Sequence, residues 1–216
     1  MVDPRNVRIS LRKQPQQARS SGLVEAVLEA AVQLLVAEGA VRFTMARVAQ
    51  RAGVSVGSLY QYFPNKAAIL FRLQSDEWRE TSALLRTILE DREKPPLERV
   101  GALTHAFVRS ECEEAAVRNA LADAAPLYRD APEATETKAA AHTAFRNFIE
   151  EALPGLTADH RDVVADLMKT TLSEVGKHVS EKARTAPEIE AYSDALADML
   201  SSYLIRLNPS LRPDAG

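Results

Sequence analysis

The 216-residue chain has a single cysteine, so it can form neither an intrachain disulfide nor a multi-cysteine metal or iron–sulfur site. That scarcity fits a reducing, cytoplasmic compartment. Glycine and proline number only 8 and 11, too few for a collagen-like or low-complexity chain. No apolar run approaches the roughly 18 residues that a bilayer-spanning helix requires. The first residues are polar and basic and lack the apolar stretch of a secretory signal. These absences argue against a membrane protein and a disulfide-stapled secreted domain. What remains is ordinary for a soluble globular chain of one or two domains: 46% apolar and 26% charged residues.

The net charge of −3 conceals a division. Residues 1–66 hold nine Lys/Arg and four Asp/Glu, whereas residues 67–216 hold eighteen and twenty-six. A basic head is joined to an acidic body, the asymmetry expected of a polyanion-binding module fused to something else.

Along the chain the pattern is helical. Residues 1–19 carry Arg5, Arg8, Arg12, Lys13 and Arg19 against Asp3 alone, with Pro4 and Pro15 interrupting. They are expected to form a flexible basic tail, either merely solubilising or an arm that touches DNA. Leu23, Val24, Val27, Leu28, Ala31, Leu34 and Leu35 then recur at steps of three and four, predicting a helix over 21–38 that stops at Gly39. Thr44 and Ser55 stand where N-caps would, before short helices at 45–52 and 56–63, and Pro64 ends the second. Gly53 lies in the tight turn between them, where positive φ is useful. This is the sequence form of a helix-turn-helix.

A long helix is expected from residue 65 to about 92, followed by helices near 96–111, 114–124, 132–152, 159–184 and 187–207. Asp130–Glu133 and Thr185–Glu188 read as capping boxes with proline in the first turn. No stretch alternates with period two, so the expected fold is all-α with about nine helices. The last two helices have wide apolar stripes, including Val163, Leu167, Met168 and Leu172 on one and Tyr192, Leu196, Met199 and Leu200 on the other. Such stripes suit either a core or a four-helix dimer interface.

Residues 44–66, TMARVAQRAGVSVGSLYQYFPNK, resemble the TetR family of transcriptional regulators. The string Gly57-Ser58-Leu59-Tyr60-x-Tyr62-Phe63-x-Asn65-Lys66, in register with Thr44, is its most specific part. The resemblance implies a helix-turn-helix domain over 20–67 and a helical ligand-binding and dimerisation domain over 68–216. It further implies a homodimer, formed through the last two helices, on a pseudo-palindromic double-stranded operator. By the same resemblance Thr44, Arg47, Ser55, Val56, Gly57, Ser58, Tyr60, Gln61, Tyr62 and Lys66 are candidates for the DNA interface. Val56 offers only apolar contact, Gln61 can pair with an adenine edge, and Lys66 can meet a phosphate at a helix N-terminus. Small and apolar residues at 56–58 leave few hydrogen bonds to bases, so phosphate contacts and DNA shape are expected to carry much of the selectivity.

The family also implies a ligand pocket beyond residue 67. Its candidates here are Trp78, His105, Phe107, Arg109, Tyr128, His142, Phe145, Phe148 and Thr171, which would suit a small, largely apolar or aromatic effector. His105 and Arg109, one turn apart, would orient an anionic group. No catalytic signature accompanies them. His105, His142, His160 and His178 make no two-histidine helical face, and Cys112 stands between Glu111 and Glu113, which disfavour a thiolate. No metal, cofactor or enzymatic activity is expected. The function expected is a ligand-released repressor, with an inducer-independent DNA-binding factor of the same fold as the alternative.

Overall fold

Short polar side chains start the helices where the sequence places them. The computed structural model of the chain describes residues 9–12, 18–128 and 143–212. Thr44 Oγ1 accepts from the backbone N–H of Arg47 at 3.3 Å, opening α2 (Met45–Arg51). Ser55 Oγ accepts from Ser58 N–H at 3.0 Å, opening α3 (Val56–Tyr62). Each satisfies one of the first-turn donors that a helix cannot satisfy internally. Ahead of them runs α1 (Ala18–Arg42), whose regular path breaks at Gly39 with φ 72°. Behind them come α4 (Lys66–Leu89), α5 (Pro96–Glu113), α6 (Ala115–Ala124), α7 (143–152), α8 (Ala158–Ser180) and α9 (Ala186–Leu207). Among the described residues there is no strand, and the all-α expectation is met.

The capping box expected at α9 is present: the backbone N–H and the hydroxyl of Thr185 both donate to Glu188, at 2.7 and 2.8 Å. Those bonds hold the Glu188 carboxyl below its ordinary range. The box expected at Asp130–Glu133 lies outside the described residues. So does most of the expected tail, and so does His142. No helix among the described residues is long and apolar enough to cross a membrane.

The chain packs as two compact units. The first comprises residues 1–79 and 116–138, the second residues 80–115 and 139–216. The core of the first contains Val27, Leu34, Leu35, Phe43, Val48, Leu59, Phe63, Ile69 and Leu70, joined by Leu121, Ala124 and Tyr128. Helix α6 thus belongs with the helix-turn-helix. Its Arg118 pairs with Glu77 of α4, and the Tyr128 hydroxyl donates to the Leu121 carbonyl at 3.1 Å with Gln74 Oε1 3.2 Å away. Ile9 is also in this core, at 2% exposure, so residues 9–12 are packed against the unit rather than loose.

In the second unit α5 lies against α8 and α9. Its core includes Leu103, Phe107, Phe145, Phe148, Met168, Leu172, Leu196, Leu200 and Leu204. Each such side chain contributes about 1.5–3 kcal/mol by leaving water. Arg99, 1% exposed, is the largest side chain wholly enclosed here. It donates to the Leu89 carbonyl at 2.7 Å, pairs with Glu151, and stacks 5.2 Å from the Phe148 ring centroid. A guanidinium so placed satisfies the C-terminal end of α4 while its own charge is balanced by α7.

Candidate nucleic-acid interface

Helix α3 has two turns and two unlike faces. Leu59 and Tyr62 point into the core of the first unit, with Phe63 behind them. Val56, Gly57, Tyr60 and Gln61 face solvent, and both Val56 and Tyr60 are 40% exposed. Val56 and Tyr60, four residues apart, put a valine and a phenol on the outer face of this helix.

The turn that aims this helix is built from the sequence upward. Gly53 adopts φ 68°, a conformation that L side chains rarely take. Val54 N–H then donates to the Ala49 carbonyl at 3.0 Å and closes the turn before Ser55 caps α3. Ser55 Oγ and Ser58 Oγ lie 2.8 Å apart, so the two hydroxyls bond to each other as well as to the helix end. Lys66 opens α4 one residue after Asn65, whose Oδ1 accepts from Ala68 N–H at 2.9 Å. Two short helices and the start of a third therefore present N–H-rich ends along one module.

Two expected contacts, Tyr62 and Arg47, are placed otherwise than the sequence suggested. Tyr62 is only 7% exposed and belongs to the core, because the helical period sets it one turn from Leu59. The guanidinium of Arg47 is held by Glu38, at 2.5–2.6 Å, so it is engaged within the chain. Thr44 and Ser55 each accept a first-turn N–H, as the caps that the sequence predicts, and capping leaves a hydroxyl's own O–H able to donate. Val56, Gly57, Tyr60 and Gln61 stand together on one exposed face.

Arg12, which the sequence reading placed in a basic tail or DNA-touching arm, joins that face. Its backbone N–H donates to the Tyr62 carbonyl at 2.8 Å and its Nη1 to the Tyr60 carbonyl at 3.3 Å. These are carbonyls at the end of α3, where a cation is favoured by the helix dipole. Arg12, Gly57, Tyr60 and Gln61 line one shallow hollow. The available signal for this docking was the apolar pair Ile9 and Leu11 inside an otherwise basic segment.

The residues expected to line a ligand pocket fall in both units, and His142 lies outside the described residues. Trp78 and Tyr128 pack in the first unit, and burial beside Glu77 pushes the Tyr128 phenol well up. Phe107, Phe145 and Phe148 fill the core of the second unit, Thr171 is half-buried, and Arg109 is exposed. His105 faces two carboxylates of α9, Glu190 and Asp194, so it does not pair with Arg109 around an anion. The Cys112 thiol is pushed up chiefly by burial; Glu111 and Glu113 add to the effect and Arg184 opposes it. It is a poor nucleophile.

Comparison with known proteins agrees with this geometry. Residues 27–73 match the family described as bacterial regulatory proteins, tetR family, and residues 95–207 match the tetracyclin repressor-like C-terminal domain. The nucleoid occlusion factor SlmA of Vibrio campbellii is 38% identical over 85 residues, covering 39% of this chain and 43% of that protein. The chain thus spans less than half the length of the curated relatives it matches. Among solved structures, a TerR/AcrR-family transcriptional regulator from Aquifex aeolicus superposes with a TM-score of 0.63 at 20% identity, covering 84% of this chain and 99% of that one. The fatty acid degradation regulator FadR from Bacillus halodurans gives 0.67 at 16% identity, with 87% and 96% covered. These likenesses show the fold. Two matched segments that together span the capped helix-turn-helix and the α5–α9 bundle place the chain in the TetR family of bacterial regulatory proteins.

Proposed function

We propose that the chain is a homodimeric transcriptional regulator that seats α3 of each protomer in the major groove of a pseudo-palindromic operator. The observation that carries this reading is the solvent face of α3, where Val56, Gly57, Tyr60 and Gln61 stand uncovered. Val56 offers a methyl pair to a thymine methyl, Gln61 a bidentate amide to adenine, and Tyr60 a phenol to a phosphate or base edge. Lys66 at the start of α4 and Arg12 beside α3 supply cations for the backbone.

Dimerisation is supported by apolar side chains left outside the second unit. Val163 and Leu167 on α8 are 62% and 48% exposed, and Tyr192 and Met199 on α9 are exposed as well. The buried halves of the same stripes, Val164, Met168, Leu172, Leu196 and Leu200, form the core. One stripe therefore serves both the core and a second copy.

Release by a small apolar effector is the mode of regulation proposed with this function. It requires a ligand with different affinities for the DNA-bound and free states. An inducer-independent factor is the second reading, favoured by Phe107, Phe145 and Phe148 packing as core. A thermal-shift screen of apolar and aromatic small molecules separates the two.

The deciding experiment is selection of genomic fragments followed by mobility-shift assay. A pseudo-palindrome bound by the wild type is expected, with Lys66→Ala lowering the salt slope by about one while sequence preference is kept. Absence of any preferred fragment overturns the reading.

A further inference from the structure

We propose that His105, Glu190 and Asp194 form a binding site for a divalent first-row transition metal, bridging α5 and α9. Glu190 and Asp194 are four residues apart, so both side chains leave the same face of α9. They meet a single imidazole from α5: His105 Nδ1 lies 3.2 Å from Glu190 Oε1, and Nε2 lies 3.1 Å from Asp194 Oδ1. One ligand atom from each of the three residues falls within 4.8 Å of the others. An ion takes one ring nitrogen at about 2.0–2.2 Å, so the carboxylate that faces the other nitrogen has to swing round to reach it; both carboxylates are exposed, at 55% and 66%.

Several acids of the same unit are neutralised by a neighbouring cation. Asp162 has Arg146, Glu150 has Arg161, and Asp166 has Lys169. Among the described residues neither Glu190 nor Asp194 pairs with a lysine or arginine, and the half-buried imidazole is their only partner. With a neutral imidazole the trio carries two negative charges, which a divalent ion balances.

The donor set selects the ion. One ring nitrogen with two carboxylate oxygens suits zinc, cobalt, nickel or manganese, whereas calcium and magnesium take oxygen alone. Three protein ligands leave coordination positions to water, unlike a closed four-ligand structural site. On α9 the pair at 190 and 194 lies roughly 140–180° around the helix from Tyr192 and Met199, at 3.6 residues per turn. A second copy seated on the Tyr192–Met199 stripe therefore leaves the site open. Because the ligands come from two helices, the ion ties α9 to α5 and binds the folded unit in preference to the unfolded chain.

The test uses the full chain, free of affinity tags and stripped of metal with a chelator. Zinc chloride is titrated by calorimetry, and cobalt(II) by its visible absorption. The expected result is one equivalent of zinc per chain, a cobalt spectrum of nitrogen–oxygen ligation, and a thermal midpoint that rises with zinc. The doubly exposed variant Glu190→Gln/Asp194→Asn is expected to fold normally without metal and to lose at least about tenfold in affinity. His105→Gln should do the same, and His160→Gln and His178→Gln should bind as the wild type does. Absence of saturable binding overturns the proposal. Undiminished binding by the double variant overturns it too, since the ion then sits elsewhere.

Discussion

Gly176 on α8 lies so close to Phe107 on α5 that a Cβ there would stand 2.7 Å from the ring's Cε1 and 3.1 Å from Cγ of Glu111. The absence of a side chain is what lets the two helices approach. Gly176→Ala must displace an aromatic ring that is itself packed in the core, and overpacking of this kind costs about 1–3 kcal/mol. Gly22, in α1, has nothing within 4 Å of the same ideal position. Gly22→Ala is expected to raise the thermal midpoint and Gly176→Ala to lower it, so calorimetry on the two alanines reads the packing against the propensity.

Gly57 is a different case. It sits inside α3 with ordinary helical φ, and an added Cβ would meet only Ser55 Oγ at 3.8 Å. Nothing within the chain asks for glycine there, and alanine would favour the helix by about 1 kcal/mol. Under the proposed function the empty position admits DNA close to the backbone of α3. Gly57→Ala should therefore fold more stably and bind the operator more weakly. Equal or tighter binding in a fluorescence titration would remove Gly57 from the interface.

The Arg99–Glu151 pair makes stability depend on pH. The hydrogen bond from Arg99 is the main cause that holds the Glu151 carboxyl below its ordinary value of 4.5, against desolvation and with help from the charges of Arg99 and Arg92. A carboxyl depressed on folding contributes stability above its unfolded value and loses it as pH falls through the folded one. Glu151→Gln should thus be less stable at neutral pH by about 1.5–3 kcal/mol, toward the lower end because solvent reaches Glu151. The gap between variant and wild type should close below pH 4.5. A gap independent of pH would show that the charge is not the cause.

Leu167 on α8 tests the dimer. It is 48% exposed, so Leu167→Glu leaves the fold of a single chain undisturbed while placing a charge in the proposed interface. Sedimentation of the variant is expected to give one chain's mass, with unchanged far-ultraviolet circular dichroism. A variant as large as the wild type would move the interface elsewhere.

Ile9 tests whether the basic segment is docked. Truncating a side chain 2% exposed in a core costs about 2 kcal/mol, so Ile9→Ala should lower the denaturation midpoint. A segment that merely trails would show no change.

The helices were legible because their signals are local. Thr44, Ser55 and Thr185 announce their caps, Gly53 announces its turn, and apolar steps of three and four run between them. The exposed trio of Val56, Gly57 and Tyr60 followed from the motif. Tyr62 did not, since a phenol two residues beyond Tyr60 is a contact or a core residue according to which way α3 is rolled. Arg47 was not legible either: its partner Glu38 precedes the kink at Gly39, and the direction the chain takes after that kink is not set by local periodicity.

By itself the sequence determined that this chain is a string of capped helices headed by a basic helix-turn-helix, because caps, turns and amphipathic stripes depend on neighbours a few residues away. Only the tertiary structure decided which helices share a core. It set α6 with the helix-turn-helix, split the α8 and α9 stripes into buried and exposed halves, and brought His105 to Glu190 and Asp194 across 85 residues of sequence. Those outcomes depend on how whole helices cross, and a crossing is fixed by burial summed over many side chains rather than by any one local pattern.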